Sequence, residues 1–90
     1  MDRRAAMQSV LDAEVKRWSG MSINELDSRL SDLCNYQLEQ NGTVYQFEVE
    51  ILERKPEYIH VGVSVDDGRL RYSIIPLCQS FVKRTQQSEL

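Results

Sequence analysis

The chain is poor in the residues that most often carry chemistry. It has one histidine, His60, and two cysteines, Cys34 and Cys78, with no C-x-x-C spacing between them. Zinc sites are built from spaced Cys and His ligands, which this inventory does not offer, and buried, reduced thiols are the expected state of both cysteines. There is no glycine-rich phosphate loop, no G-x-S-x-G elbow and no basic-aromatic platform for nucleic acid. No apolar run approaches the length of a membrane helix, and the opening MDRRAAMQSVLDAEVKRW lacks the uninterrupted apolar centre of a signal peptide. The expectation is a cytoplasmic protein with no cofactor, no metal, and neither a membrane nor a nucleic acid as partner.

What is present is the composition of an ordinary globular domain. The 90 residues are 41% hydrophobic and 28% charged, with a net charge of −3. A chain of this length buries about 60% of the surface its unfolded form exposes, enough for one modest core without staples. The acidic balance argues against binding to a phosphate backbone, and the basic pairs Arg3–Arg4 and Lys83–Arg84 read as solvated ends.

Helical periodicity dominates the first third. Met7, Leu11, Val15 and Trp18, widened by Val10, place a helix over Asp2 to Ser19. Gly20 stops it, since glycine accepts a left-handed cap at no steric cost. Ser22 and Glu25 then form an S-x-x-E capping box flanked by the staple pair Met21 and Leu26. A second helix is expected from Ile23, with the stripe Ile23, Leu26, Leu30, Leu33 and Cys34, fraying near Tyr36 to Glu39. Asn41–Gly42 marks a turn.

After Gly42 the period becomes two. Tyr45, Phe47, Val49 and Ile51 alternate with Gln46, Glu48, Glu50 and Leu52, the pattern of a half-buried strand broken by Lys55–Pro56–Glu57. A second strand is expected over Tyr58 to Asp66 and a third over Arg69 to Ile75. Treating Asp67–Gly68 as a two-residue type I′ loop sets Val65 against Leu70, Val63 against Tyr72 and Val61 against Ile74, all apolar. In that register Asp66 and Asp67 belong to a bend. As neighbours on a strand they point to opposite faces, which suits neither a cation site nor a catalytic pair.

The candidate sites follow from the same parity. Glu48, Glu50 and Arg71 fall on the outer face, and Leu52, Tyr58, His60 and Ile75 gather at its far end as a partly apolar patch. Such a patch marks a protein partner more often than chemistry. The alternative is that Leu77–Val82, whether strand, helical turn or cover, folds back over it. A thiol enzyme would need His60 beside a cysteine; Cys34 belongs to the opposite face, and Cys78 follows the edge strand.

The runs WSGMSINELDSRL, YQFEVEIL, SVDDGRLR and PLCQSF together resemble a family of short uncharacterised bacterial proteins. Its pattern is an M-S-x-x-E-L helix start (Met21, Ser22, Glu25, Leu26), a Y-x-x-E-V strand (Tyr45, Glu48, Val49), an S-V-D-D-G hairpin (Ser64 to Gly68) and a P-L-x-x-x-F end (Pro76, Leu77, Phe81). One residue more than that pattern lies between Arg71 and Pro76. The resemblance implies a bacterial cytoplasmic protein and supplies no catalytic residues.

The expected architecture is α+β, with two N-terminal helices packed on one face of a three-stranded antiparallel β-meander over residues 1–84 and a disordered tail over 85–90. The expected function is a non-enzymatic protein-binding module, with a homodimer open as its oligomeric state. An immunity or antagonist protein that occludes a toxin or defence enzyme is the first alternative. A thiol enzyme using Cys78 and His60 is the second.

Overall fold

The computed structural model describes residues 3–68 and 77–85. The elements run α1 (Arg3–Ser19), α2 (Ile23–Arg29), β1 (Cys34–Gln40), β2 (Thr43–Lys55), β3 (Tyr58–Asp66) and β4 (Leu77–Arg84). The strands form one antiparallel sheet in sequence order. The α+β class therefore holds, with four strands among the described residues in place of the three expected.

Helix α1 buries the expected stripe of Met7, Val10, Leu11 and Trp18, with Val15 packed partly against the core. The stripe also carries Glu14, which is only 8% exposed. A buried carboxylate is costly unless its lone pairs are occupied. Arg17 Nη2 donates to Glu14 Oε1 at 2.9 Å, and the Tyr36 hydroxyl donates to the same oxygen at 2.6 Å. Trp18 Nε1 in turn donates to the Tyr36 hydroxyl at 2.7 Å. The Tyr36 ring stacks on Phe47 with centroids 5.2 Å apart, so this relay ties α1 through β1 into the sheet core. Gly20 ends α1 as expected, but without a positive φ.

The Ser22 half of the expected capping box forms: Ser22 is extended at φ −72°, ψ 163°, and its Oγ accepts from Glu25 N at 3.1 Å, while the Glu25 carboxylate pairs with Arg29. The helix itself is shorter than expected. It ends at Arg29, with Leu30 as its C-cap, and Cys34–Gln40 is a strand rather than a fraying helical end. Asn41 (φ 51°) and Gly42 (φ 82°) make a two-residue turn that sets Gln40 opposite Thr43. Positive φ at both positions defines type I′, whose twist matches the strands it joins.

Strands β2 and β3 hold the core. Phe47 faces Val65, Val49 faces Val63 and Ile51 faces Val61, on the face covered by the helices. Pro56–Glu57 turns the chain between them, and Thr85 takes up that turn's carbonyls, its N donating to Glu57 O at 2.9 Å and its Oγ1 to Pro56 O at 2.8 Å. Thr85, expected in the tail, is thus held by the β2–β3 turn; 86–90 lie outside the described residues.

The register proposed for Asp67–Gly68 does not form. β4 occupies that edge of β3, with Val65 opposite Leu77, Val63 opposite Gln79 and Val61 opposite Phe81. The expected strand Arg69–Ile75 falls outside the described residues. Asp66 Oδ1 accepts from Gly68 N at 2.7 Å and Gly68 lies at φ 75°, so the local chemistry is still that of a bend.

Two outcomes test this account. Ser22→Ala removes the α2 cap and is expected to cost ~1 kcal/mol in denaturant unfolding; an unchanged midpoint would contradict a structural role for the cap. Burial pushes the Tyr36 hydroxyl up to about 12 from 10.0, and its bond to Glu14 adds to the rise. A group raised on folding stabilises the fold fully below its unfolded pKa, and that stability is lost as pH climbs through the folded value. The wild type is therefore expected to lose stability between about pH 10 and 12. Tyr36→Phe, less stable by ~1–2 kcal/mol at neutral pH, is expected to lose less over that interval, as urea midpoints on both proteins would show.

Candidate functional site

No helix among the described residues covers the outer face of the sheet. Strand parity puts Glu48 and Glu50 of β2 there, with Tyr58, His60, Gly62 and Ser64 of β3 beside them, and Cys78, Ser80 and Val82 of β4 beyond. Of the expected site residues, Glu48, Glu50, Leu52, Tyr58 and His60 share this face. Arg71 and Ile75 lie outside the described residues. Leu77–Val82 does not fold back as a cover: it is part of β4 and extends the sheet sideways.

A β-bulge shapes the apolar end. Pairing passes from Ile51–Val61 to Glu53–His60, leaving Leu52 as the extra residue of β2. Leu52 is 52% exposed and lies flat over Gly62, where an added Cβ would meet Leu52 Cδ1 at 2.9 Å. Gly62 is thus the seat for the Leu52 side chain. The bulge also reverses parity, turning Arg54 to the helix side, where it pairs with Asp27 of α2.

Around Leu52 the polar groups are tied to neighbours. The Tyr58 hydroxyl donates to Glu53 Oε1 at 2.9 Å, a bond that raises the Tyr58 pKa above its ordinary value. His60 Nε2 lies 2.9 Å from Ser80 Oγ. Val82, opposite His60 and 50% exposed, completes the patch; it was not among the residues singled out from sequence. The outer face carries two open depressions, of which only the second touches the patch, at Leu52. One of about 420 Å³ is lined by Gln37, Gln46, Glu48, Ser64 and Asp66, the other of about 260 Å³ by Glu50, Leu52, Gly62, Cys78 and Ser80. Neither encloses a ligand as a typical small-molecule cleft does.

The cysteines do not assemble with His60. Cys34 opens β1 opposite Val49 on the helix side of the sheet, rather than sitting on a helix stripe, and is half-buried. Cys78 is exposed, contrary to the buried thiol expected, and no disulfide joins it to Cys34. Cys78 is opposite Ser64 whereas His60 is opposite Val82. Four residues along a strand span about 13 Å, beyond direct proton transfer. Among the described residues no group of three His, Cys, Asp or Glu side chains converges as a metal site would, and no helix is long and apolar enough to cross a membrane.

Comparison with protein-family models, curated proteins and solved structures gives no match to this chain.

The seat for Leu52 is testable by a double-mutant cycle. Gly62→Ala is expected to destabilise by ~1 kcal/mol because Leu52 must move, and to cost little in a Leu52→Ala background. Strict additivity of the two changes would show that Leu52 is not held over Gly62.

Proposed function

We propose that this protein is a non-enzymatic protein-binding module whose contact surface is the outer sheet face around Leu52, Tyr58, His60 and Val82. The observation that carries the reading is the bulge, which sets a half-exposed leucine on a glycine seat in the middle of a polar face. Proteins seldom group apolar side chains in water without a partner for them. An aromatic side chain with a polar tip, as at Tyr58, is also the residue type enriched at interface centres.

The surroundings favour one refinement. Glu48, Glu50, Glu53 and Asp66 lie on this face or along its rim, against Lys55 and Arg84 beside Tyr58, and the acidic excess favours a basic partner surface. An antagonist covering a basic active site is one protein of that description, and the charge pattern would speed its encounter. The resemblance to short bacterial proteins is compatible with such a role in a bacterial cytoplasm.

The test pairs melting with affinity capture from the native host. Tyr58→Ala and Val82→Ser are expected to leave the melting temperature nearly unchanged while weakening capture of a specific partner about tenfold or more. A partner retained at full affinity by both variants would exclude this face.

A further inference from the structure

Strand β1 is one edge of the sheet, and among the described residues nothing pairs with its outer side. Edge strands of monomeric proteins are normally blunted by proline, lysine, a bulge or a covering element. The other edge, β4, has α1 packed along it, with Gln8 bonded to Gln79 and Lys83 bonded to Ser19 O. β1, CNYQLEQ, has no proline and no lysine, and its register with β2 is unbroken over the 7 residues. Its inner-face Leu38 is 36% exposed.

The backbone of that edge can be read from the turn. In a two-residue hairpin the flanking pair, here Gln40 and Thr43, exchanges both backbone hydrogen bonds. Alternation then directs the N–H and C=O groups of Leu38, Tyr36 and Cys34 into β2. Those of Glu39, Gln37 and Asn35 point away from it, along the open edge.

We infer that β1 is a homodimer edge: two copies pair antiparallel through Cys34–Gln40 about a two-fold axis at Gln37, joining two sheets into one. Gln37 is the midpoint of the strand, so only this register pairs every residue of β1 with one of the partner's. It uses all the outward groups, giving on the order of six inter-chain backbone hydrogen bonds. On the inner face Tyr36 meets the partner's Leu38, covering its exposed side chain. On the outer face Asn35 meets the partner's Glu39, the only charged residue in the strand. A register centred on Glu39 would instead set two carboxylates face to face. α1 packs chiefly over β3 and β4 and reaches β1 at Tyr36, so its bulk lies away from the β1 edge. Strand pairing of this extent makes a small interface, so the dimer belongs to the micromolar, concentration-dependent class. The inference is independent of the binding patch.

Sedimentation of the full chain under reducing conditions, from about 1 µM to about 1 mM, brackets that class. A reversible monomer–dimer equilibrium is expected. Asn35→Lys, which sets a cation opposite the partner's Glu39, is expected to tighten it several-fold, and Asn35→Glu to weaken it by a similar factor. Gln37→Pro is expected to abolish the dimer, because the lost N–H is one that β2 does not use. A chain that stays monomeric to the top of the range overturns the inference, as does a dimer whose affinity ignores both Asn35 changes. Should Gln37→Pro fail to fold by circular dichroism, the Asn35 pair decides alone, since that side chain is exposed and outside the core.

Discussion

Phe47 against Val65, Val49 against Val63 and Ile51 against Val61 form a ladder of apolar pairs on one face of β2 and β3. Phe47, Val49, Val61, Val63 and Val65 are all 0–1% exposed. Full burial of such a side chain contributes about 1.5–3 kcal/mol, so truncating any two would remove much of the ~5–15 kcal/mol by which a domain is stable. Every other element takes its place from this ladder. The α1 stripe, Leu26 of α2 and its C-cap Leu30 bury against it, and β1 and β4 extend it on either side. A slip of one residue would present Gln46, Glu48 and Glu50 to the helices, so the alternation also fixes which face of the sheet meets water.

The apolar faces of β2 and β3 were legible because each of their residues obeys one period with no competing signal, whereas the pairing of one strand with the other was not. The Ser22 cap was legible because its chemistry is local. β1 is ambiguous to periodicity alone: Leu30, Leu33 and Cys34 satisfy helical spacing, whereas Cys34, Tyr36 and Leu38 satisfy strand spacing. The deciding signal was Asn41–Gly42, a type I′ dipeptide that requires a strand on both sides. Asp67–Gly68 carries a similar dipeptide signal, but there only the glycine has a positive φ. β4 was hidden by its own composition. Its inner positions include Gln79 and Lys83, which are polar because they bond to α1 at the sheet margin rather than face the core.

The candidate site was legible up to the bulge and not beyond it. Parity alone places Glu48, Glu50, Leu52, Tyr58 and His60 on the outer face. Nothing in the sequence announces that β2 carries an extra residue at Leu52, yet that residue decides that Arg54 turns to the helix side to reach Asp27. Gly62 was the available hint. A glycine amid Val61, Val63 and Val65 weakens a strand unless another group must approach closely, and here the group is Leu52.

The two surfaces inferred lie on different parts of the sheet. The patch of Leu52, Tyr58, His60 and Val82 belongs to β2, β3 and β4 near the Pro56–Glu57 turn, while the open backbone belongs to β1 at the opposite edge. β1 is held as more than a peripheral strand, because Tyr36 is anchored to Glu14 and Trp18 of α1 and stacked on Phe47. An edge fixed in this way loses little conformational entropy on pairing, which favours association even through a small interface. A two-fold axis perpendicular to the sheet keeps both helical layers on one side and both outer faces on the other. Pairing through β1 therefore leaves each patch uncovered and sets two copies of it on one continuous surface, where a partner with repeated basic sites would gain by engaging both.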